Sequence, residues 1–226
     1  MVGGQISFRF KNDRLFVIGS EALPNVPYDG RFTFARVRYD MLNDGGFGRD
    51  VKWAHDYPRA ETHLMQILSE MTLLAPRLGG SNIIDIGDPE LAKYPFAYIC
   101  EPGYWSQTDE EAEALRAYLL KGGFLIVDDF RGPDIRNFER EMRRVIPGMQ
   151  LVPMELTHPI FHSFFEIESL QFDAPTYRNY PPAFFGVFED NDRAGRLLAV
   201  VNYNNDIGDY WEFSDQGYFP VDLSNT

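Results

Sequence analysis

Two continuous apolar runs joined by one capped helix restrict this chain more than any other feature. Phe96-Ala97-Tyr98-Ile99-Cys100 and Phe124-Leu125-Ile126-Val127 lack the polar alternation of a half-exposed strand, so each reads as a strand buried on both faces. Between them Thr108 precedes Asp109, Glu110 and Glu111, an N-cap followed by first-turn acids. Ala112, Leu115, Leu119 and Leu120 then carry an apolar stripe to the stop at Gly122-Gly123. Strand, helix and strand with short connections make a parallel pair with the helix across one face. The spacing therefore predicts an α/β domain around a mostly parallel central sheet, covered on both sides.

The rest of the chain fits that frame. Phe32 to Arg38 is rich in β-formers and reads as the first strand of the main sheet, and Pro58 to Leu74 spaces Leu64, Ile67, Leu68, Met71 and Leu74 as one amphipathic helix. Asn82 to Asp85 is a short strand, and Asp128-Asp129 leads into a helix from Pro133 to Val145. Gln150 to Pro153 is another short strand, His158 to Phe161 opens a turn or short helix, and Phe184 to Phe188 pairs with Arg196 to Val201. Ahead of all this, Ile6 to Phe10 and Arg14 to Ile18 flank Lys11-Asn12-Asp13 as a hairpin. The organisation expected is a hairpin and linker over 1–30 and one α/β domain over 31–226.

A net charge of −13 repels polyphosphate backbones and anionic lipid surfaces, which argues against nucleic-acid partners. Arg136, Arg140, Arg143 and Arg144 alternate with Glu139 and Glu141 and read as a solvated helix face. No apolar run approaches the roughly 20 residues of a spanning helix, so membrane insertion is not expected. The single Cys100 excludes an internal disulfide and a multi-cysteine metal site, and fits a reducing cytosol and a cysteine-poor periplasmic protein equally.

The stretch Gly122-Gly123-Phe124-Leu125-Ile126-Val127-Asp128-Asp129, with the lead-in from Ser106 to Lys121, resembles the strand and elbow of the class I glutamine amidotransferase-like superfamily. His158-Pro159-Ile160 and Gly195-Arg196-Leu197 resemble later elements of its trehalose-utilisation-like branch. More closely, Phe32 to Asp40, Asp128-Asp129-Phe130, Thr157 to Phe161 and Asn202 to Asp209 together resemble the bacterial domain of unknown function family numbered 4159. The resemblance implies a flavodoxin-like, amidotransferase-like three-layer sandwich, but no activity. It also implies a periplasmic or secreted address if a leader is removed, a cytoplasmic one otherwise, and a natural protein that continues past Thr226.

Amidotransferase chemistry is not expected. A glutaminase needs a low-pKa cysteine on the elbow and a histidine to activate it; Asp129 stands at the elbow, and no histidine follows His162. Cys100 ends a different strand and reads as a packed side chain. No Gly-x-Ser-x-Gly elbow occurs, nor any flavin or nucleotide motif; Gly45-Gly46-Phe47-Gly48 reads as a turn. His158 and His162 read as capping or packing residues rather than metal ligands.

What remains is the rim that such a fold creates beyond the carboxyl ends of its strands. Those ends carry Asp40, Glu101, Asp128 and Asp129, and Asn202 and Asn204. Crowded carboxylates either raise a pKa or recruit a hard cation such as magnesium or calcium, with Asp128 and Asp129 the candidate ligands. The competing reading has Asp128 or Asp129 merely capping the following helix. The functions expected are binding of a small polar ligand or a protein partner, or, alternatively, carboxylate- or metal-dependent hydrolysis or elimination on a carbohydrate-like molecule.

Overall fold

The computed structural model describes residues 7–11, 14–18, 24–42, 50–171, 176–177 and 179–216. Strands β1 (Ser7–Lys11) and β2 (Arg14–Ile18) pair antiparallel, Ser7 opposite Ile18, as the expected hairpin. The strands that follow are β3 (Ala35–Arg38), β4 (Asp40–Met41), β5 (Asn82–Asp85), β6 (Phe96–Cys100), β7 (Trp105–Ser106), β8 (Phe124–Phe130), β9 (Val152–Pro153), β10 (Ala183–Phe188) and β11 (Leu197–Tyr203). Among them run helices α1 (Arg59–Met71), α2 (Asp109–Leu120), α3 (Ile135–Val145) and α4 (Ile207–Glu212).

Seven of these strands form one sheet in the order β5-β3-β6-β8-β11-β10-β9. The first five are parallel, and β10 and β9 add to the far side antiparallel. Taken in chain order the parallel strands lie 2-1-3-4-5, so the order reverses between β3 and β6. The small β4–β7 ribbon pairs Asp40 with Ser106 outside this sheet.

Alternation along the strands sorts the core into two layers. Val37, Ile99, Leu125 and Val127 face Leu115 and Leu119 of α2 and Phe138 and Met142 of α3. On the opposite face Phe34, Tyr98 and Cys100 pack against Leu64, Met65 and Leu68 of α1 and Trp211 of α4. Residues of like parity therefore share a face, which puts Asp128, the partner of Cys100 in the β6–β8 register, on the α1–α4 side.

The helix signals hold locally. Thr108 Oγ1 accepts the Glu111 N–H at 3.2 Å while Glu111 returns the bond to the Thr108 N–H at 2.8 Å, a complete capping box on α2. Helix α2 stops at Gly122, whose φ of 113° a residue with a Cβ adopts only with strain. Helix α1 ends short of the expected Leu74, because the Thr72 hydroxyl turns back to the Leu68 carbonyl at 2.6 Å and the chain leaves in extended conformation. Helix α3 begins at Ile135, after a 3-10 turn over Gly132–Asp134.

The linker ahead of the sheet is tied down where it is described. Asn25 donates its amide to the Ile83 carbonyl at 2.7 Å and accepts the Ile83 N–H at 2.9 Å, and Val26 pairs likewise with the Asn82 side chain at 2.7 and 3.0 Å. Among the described residues no helix is long and apolar enough to cross a membrane. The glycine-rich stretch 45–48 lies outside the described residues.

Candidate functional site at the carboxyl ends of the parallel strands

One extra residue in β8 builds the site. Val201 pairs with Val127, but Tyr203 pairs with Phe130, so two steps along β11 match three along β8. The bulge falls on Asp128-Asp129, where Asp129 has a φ of 57°. Bulges re-aim side chains, and here both carboxyls turn to the α1–α4 side, so that Asp129 Oδ2 lies 3.4 Å from the Cys100 thiol.

Asp128 is fully buried and almost fully satisfied. It accepts Tyr98 Oη at 2.8 Å, Asn202 Nδ2 at 2.5 Å and the backbone N–H groups of Ile207 and Gly208 at 3.1 and 2.9 Å. Burial pushes its carboxyl above the usual range, against these four donors. The expectation that Asp128 or Asp129 caps the following helix is not met: α3 has no side-chain cap, and Asp128 accepts instead from the first N–H groups of α4. Asn202 is fixed in turn, and Asn204, at φ 59°, accepts the Gly132 N–H at 3.0 Å and donates to the Pro181 carbonyl at 3.0 Å.

Asp129 faces a different company. Tyr177 donates to its Oδ1, His55 Nδ1 lies 3.9 Å from its Oδ2, and burial with the nearby Glu101 raises its carboxyl to about 6. Glu101, at φ 45°, receives His55 Nδ1 at 2.5 Å and Lys52 Nζ at 3.2 Å. The other ring nitrogen of His55 meets Asp50 Oδ1 at 2.5 Å. The hydrogen bond to Glu101 holds the imidazole as a cation, its pKa raised to about 9.

Asp56 completes the crowding. Its φ is 63°, and its Oδ2 is buried with no hydrogen-bond partner. Burial, followed by the charge of Asp129, lifts it to about 8. Gly208 permits this approach, since a Cβ there would stand 2.2 Å from Asp56 Oδ2. Asp206, only 4% exposed, is pushed well up by burial and caps α4 by accepting the Asp209 N–H at 2.9 Å. Ligand atoms of His55, Glu101 and Asp129 lie within 4.8 Å of one another, as do those of Asp56, Cys100 and Asp129, and those of Asp56, Asp206 and Asp209.

Of the residues predicted from sequence, Glu101 and Asp129 converge on one point, with Asp128, Asn202 and Asn204 around it in supporting bonds. Asp40 does not join them, because the β4–β7 pairing carries it into the outer ribbon and no close group of acids includes it among the described residues. The sequence reading did not place His55, Asp56, Tyr177 or Asp206 in this site. A histidine followed by an acid just ahead of an amphipathic helix was the available signal for the first two.

Cys100 is fully buried, and burial drives its thiol well up, as suits a packed residue. His158 Nδ1 accepts the Ile160 N–H at 3.3 Å, and His162 bonds Glu166 and the Leu156 carbonyl at 2.8 and 2.6 Å, so both serve locally as expected.

No curated protein matches this chain. The family model described as Domain of unknown function (DUF4159) matches residues 33–226, from the start of the first sheet strand through the whole site. The bulged Asp128-Asp129 pair, the Glu101 turn and the Asn202 to Asp209 cap are therefore features of a member of that family, and the chain belongs to DUF4159.

Proposed function

We propose that this chain is a flavodoxin-like domain of the amidotransferase-like superfamily that binds a small polar ligand through a hard divalent cation, magnesium or calcium. The observation that carries the reading is the backbone: Asp56, Glu101 and Asp129 each take a positive φ, and the Asp129 carboxyl shares one close group of ligand atoms with Glu101 and another with Asp56. A non-glycine residue in that region costs on the order of 1 kcal/mol or more, least for Asp, and such outliers collect at functional sites. The strand order 2-1-3-4-5 supports the flavodoxin-like assignment, and the crevice at its reversal point, between β3 and β6, is where such sheets take ligands. An oxygen-rich group of Asp56, Asp206 and Asp209 suits a hard cation better than a soft one.

The test is a titration of the chelator-treated protein with magnesium and with calcium, followed by thermal shift and calorimetry. Either ion is expected to raise the melting temperature of the parent, and not that of Asp129→Asn or of Asp56→Asn, the acid that joins Asp129 to the all-carboxylate group. A parent indifferent to both ions, and to simple sugars in their presence, defeats the proposal.

A second reading has its own support. Asp129, raised to about 6, and His55, raised to about 9, are neighbours that stand near neutral pH as carboxylate and imidazolium, one able to take a proton and the other to give one. On this reading the site hydrolyses or eliminates on a carbohydrate-like substrate, and turnover that is lost in both Asp129→Asn and His55→Gln separates it from binding alone.

A further inference from the structure

Three side chains of the site each turn one atom towards a common point while a different neighbour holds the other atom from behind. His55 Nδ1 meets Glu101 Oε1 at 2.5 Å and lies 3.9 Å from Asp129 Oδ2. Behind them, Asp50 Oδ1 holds His55 Nε2 at 2.5 Å, Lys52 Nζ holds Glu101 Oε2 at 3.2 Å, and Tyr177 donates to Asp129 Oδ1. The inward oxygens otherwise receive Lys52 Nζ at 3.4 Å, on Glu101 Oε1, and the weakly donating Cys100 thiol at 3.4 Å, on Asp129 Oδ2.

An imidazole whose outer nitrogen is fixed by a carboxylate is how metal-ligating histidines are oriented. The bond to Asp50 also sets the tautomer, because it keeps the ring hydrogen on Nε2 and leaves the Nδ1 lone pair facing Glu101 and Asp129 when the imidazole is neutral. In that state Asp50, Glu101 and Asp129 oppose only the ammonium of Lys52, and a dication balances the difference. The separations of 2.5 and 3.9 Å bracket the distance of about 3.4 Å between ligand atoms set tetrahedrally around one zinc ion. Solvent reaches the point, since the side chains of His55 and Glu101 are 34% and 12% exposed.

We propose that His55, Glu101 and Asp129 bind a zinc-class dication at a site of its own, the ion taking the place of the proton between His55 and Glu101. One imidazole nitrogen with two carboxylate oxygens suits such an ion, whereas magnesium and calcium favour oxygen alone. Three protein ligands leave a fourth position for water or for a polar group of a bound molecule, as in catalytic rather than structural zinc sites. The inference goes beyond the hard-cation reading, whose group of Asp56, Asp206 and Asp209 contains none of these three ligands.

The experiment is calorimetric titration of the intact, tag-free, chelator-treated protein with zinc, repeated with cobalt while the visible absorption of the bound ion is recorded. One equivalent of either is expected, and zinc should bleach the cobalt bands. Asp50→Ala, at a side chain 61% exposed, should weaken zinc by roughly tenfold to a hundredfold, and His55→Ala by more. Zinc uptake in a parent indifferent to magnesium and calcium upholds this site and defeats the hard-cation reading alone. A parent that takes up no zinc, or an affinity that neither variant moves, overturns this inference and leaves the other standing. Loss of a magnesium or calcium shift together with zinc in His55→Ala would place both ions in one site and overturn the separate assignment.

Discussion

Asp128 Oδ2 accepts the backbone N–H of Gly208 at 2.9 Å, tying the bulge of β8 to a helix that begins about 80 residues later. With Tyr98, Asn202 and Ile207 also donating, the carboxylate has no room for a donor of its own. Asp128→Asn brings an amide N–H against these groups and is expected to cost about 2 kcal/mol, or roughly 5 °C of melting temperature in a chain of this size. A melting curve unchanged by the substitution would show that the bonds from α4 carry no stability.

The neighbouring residue should behave in the opposite way. Asn tolerates positive φ at least as well as Asp, and Asp129→Asn removes the burial of a charge and its repulsion by Glu101, which together raise the carboxyl to about 6. In chelator, Asp129→Asn should melt at or slightly above the parent. Several degrees of loss without any ion would make Asp129 a structural residue.

Gly208→Ala places a Cβ 2.2 Å from Asp56 Oδ2 and 2.9 Å from the Tyr98 hydroxyl. Such overpacking typically costs about 1–3 kcal/mol. Removing the facing carboxyl with Asp56→Ala should recover most of it, and a double-mutant cycle by chemical denaturation reads the recovery. Strictly additive losses would mean that the two residues do not meet in solution.

Stability in chelator should fall as pH rises. Asp56 and Asp129 have carboxyls raised from 3.8 to about 8 and about 6, so the folded state holds more protons than the unfolded one. Their penalty is absent below about pH 4 and complete above about 8. His55, raised from 6.5 to about 9, contributes stability in full below 6.5 and loses it as pH passes 9, so its slope has the same sign. Asp29, held near 2 by Arg31, acts below this window. Melting temperatures measured from pH 5 to 9 should decline in the parent, and less steeply in Asp56→Asn. A rise across that range contradicts the charge assignment.

The sheet was legible because β6 and β8 are buried on both faces and so carry unbroken apolar runs, and because Thr108 and Glu111 fix the helix between them by local bonds. The candidate site was legible only in part. Glu101 and Asp129 could be found by counting to strand ends, but the same count put Asp40 on the rim when pairing with Ser106 draws it away. The bulge was invisible, since nothing in Asp-Asp says that one extra residue will be accommodated. Helix α4 was not foreseen because six residues containing glycine and aspartate have little helical tendency of their own; its first N–H groups are met by Asp128, a tertiary bond. Asp56 and His55 lie on a loop without periodicity, placed by contacts that no local pattern encodes.

The bonds from Asn25 to both polar groups of Ile83 bear on how the molecule meets its neighbours. Strand β5 is the outermost of its side of the sheet, and an open margin there would invite a foreign strand to zip alongside. A single carboxamide occupies the two groups that such an intruder would need first. At the far margin β9 is two residues long and ends in Pro153, which has no N–H to offer. Both borders are thus closed to recruitment by another chain, at one side by a side chain imitating a strand and at the other by brevity.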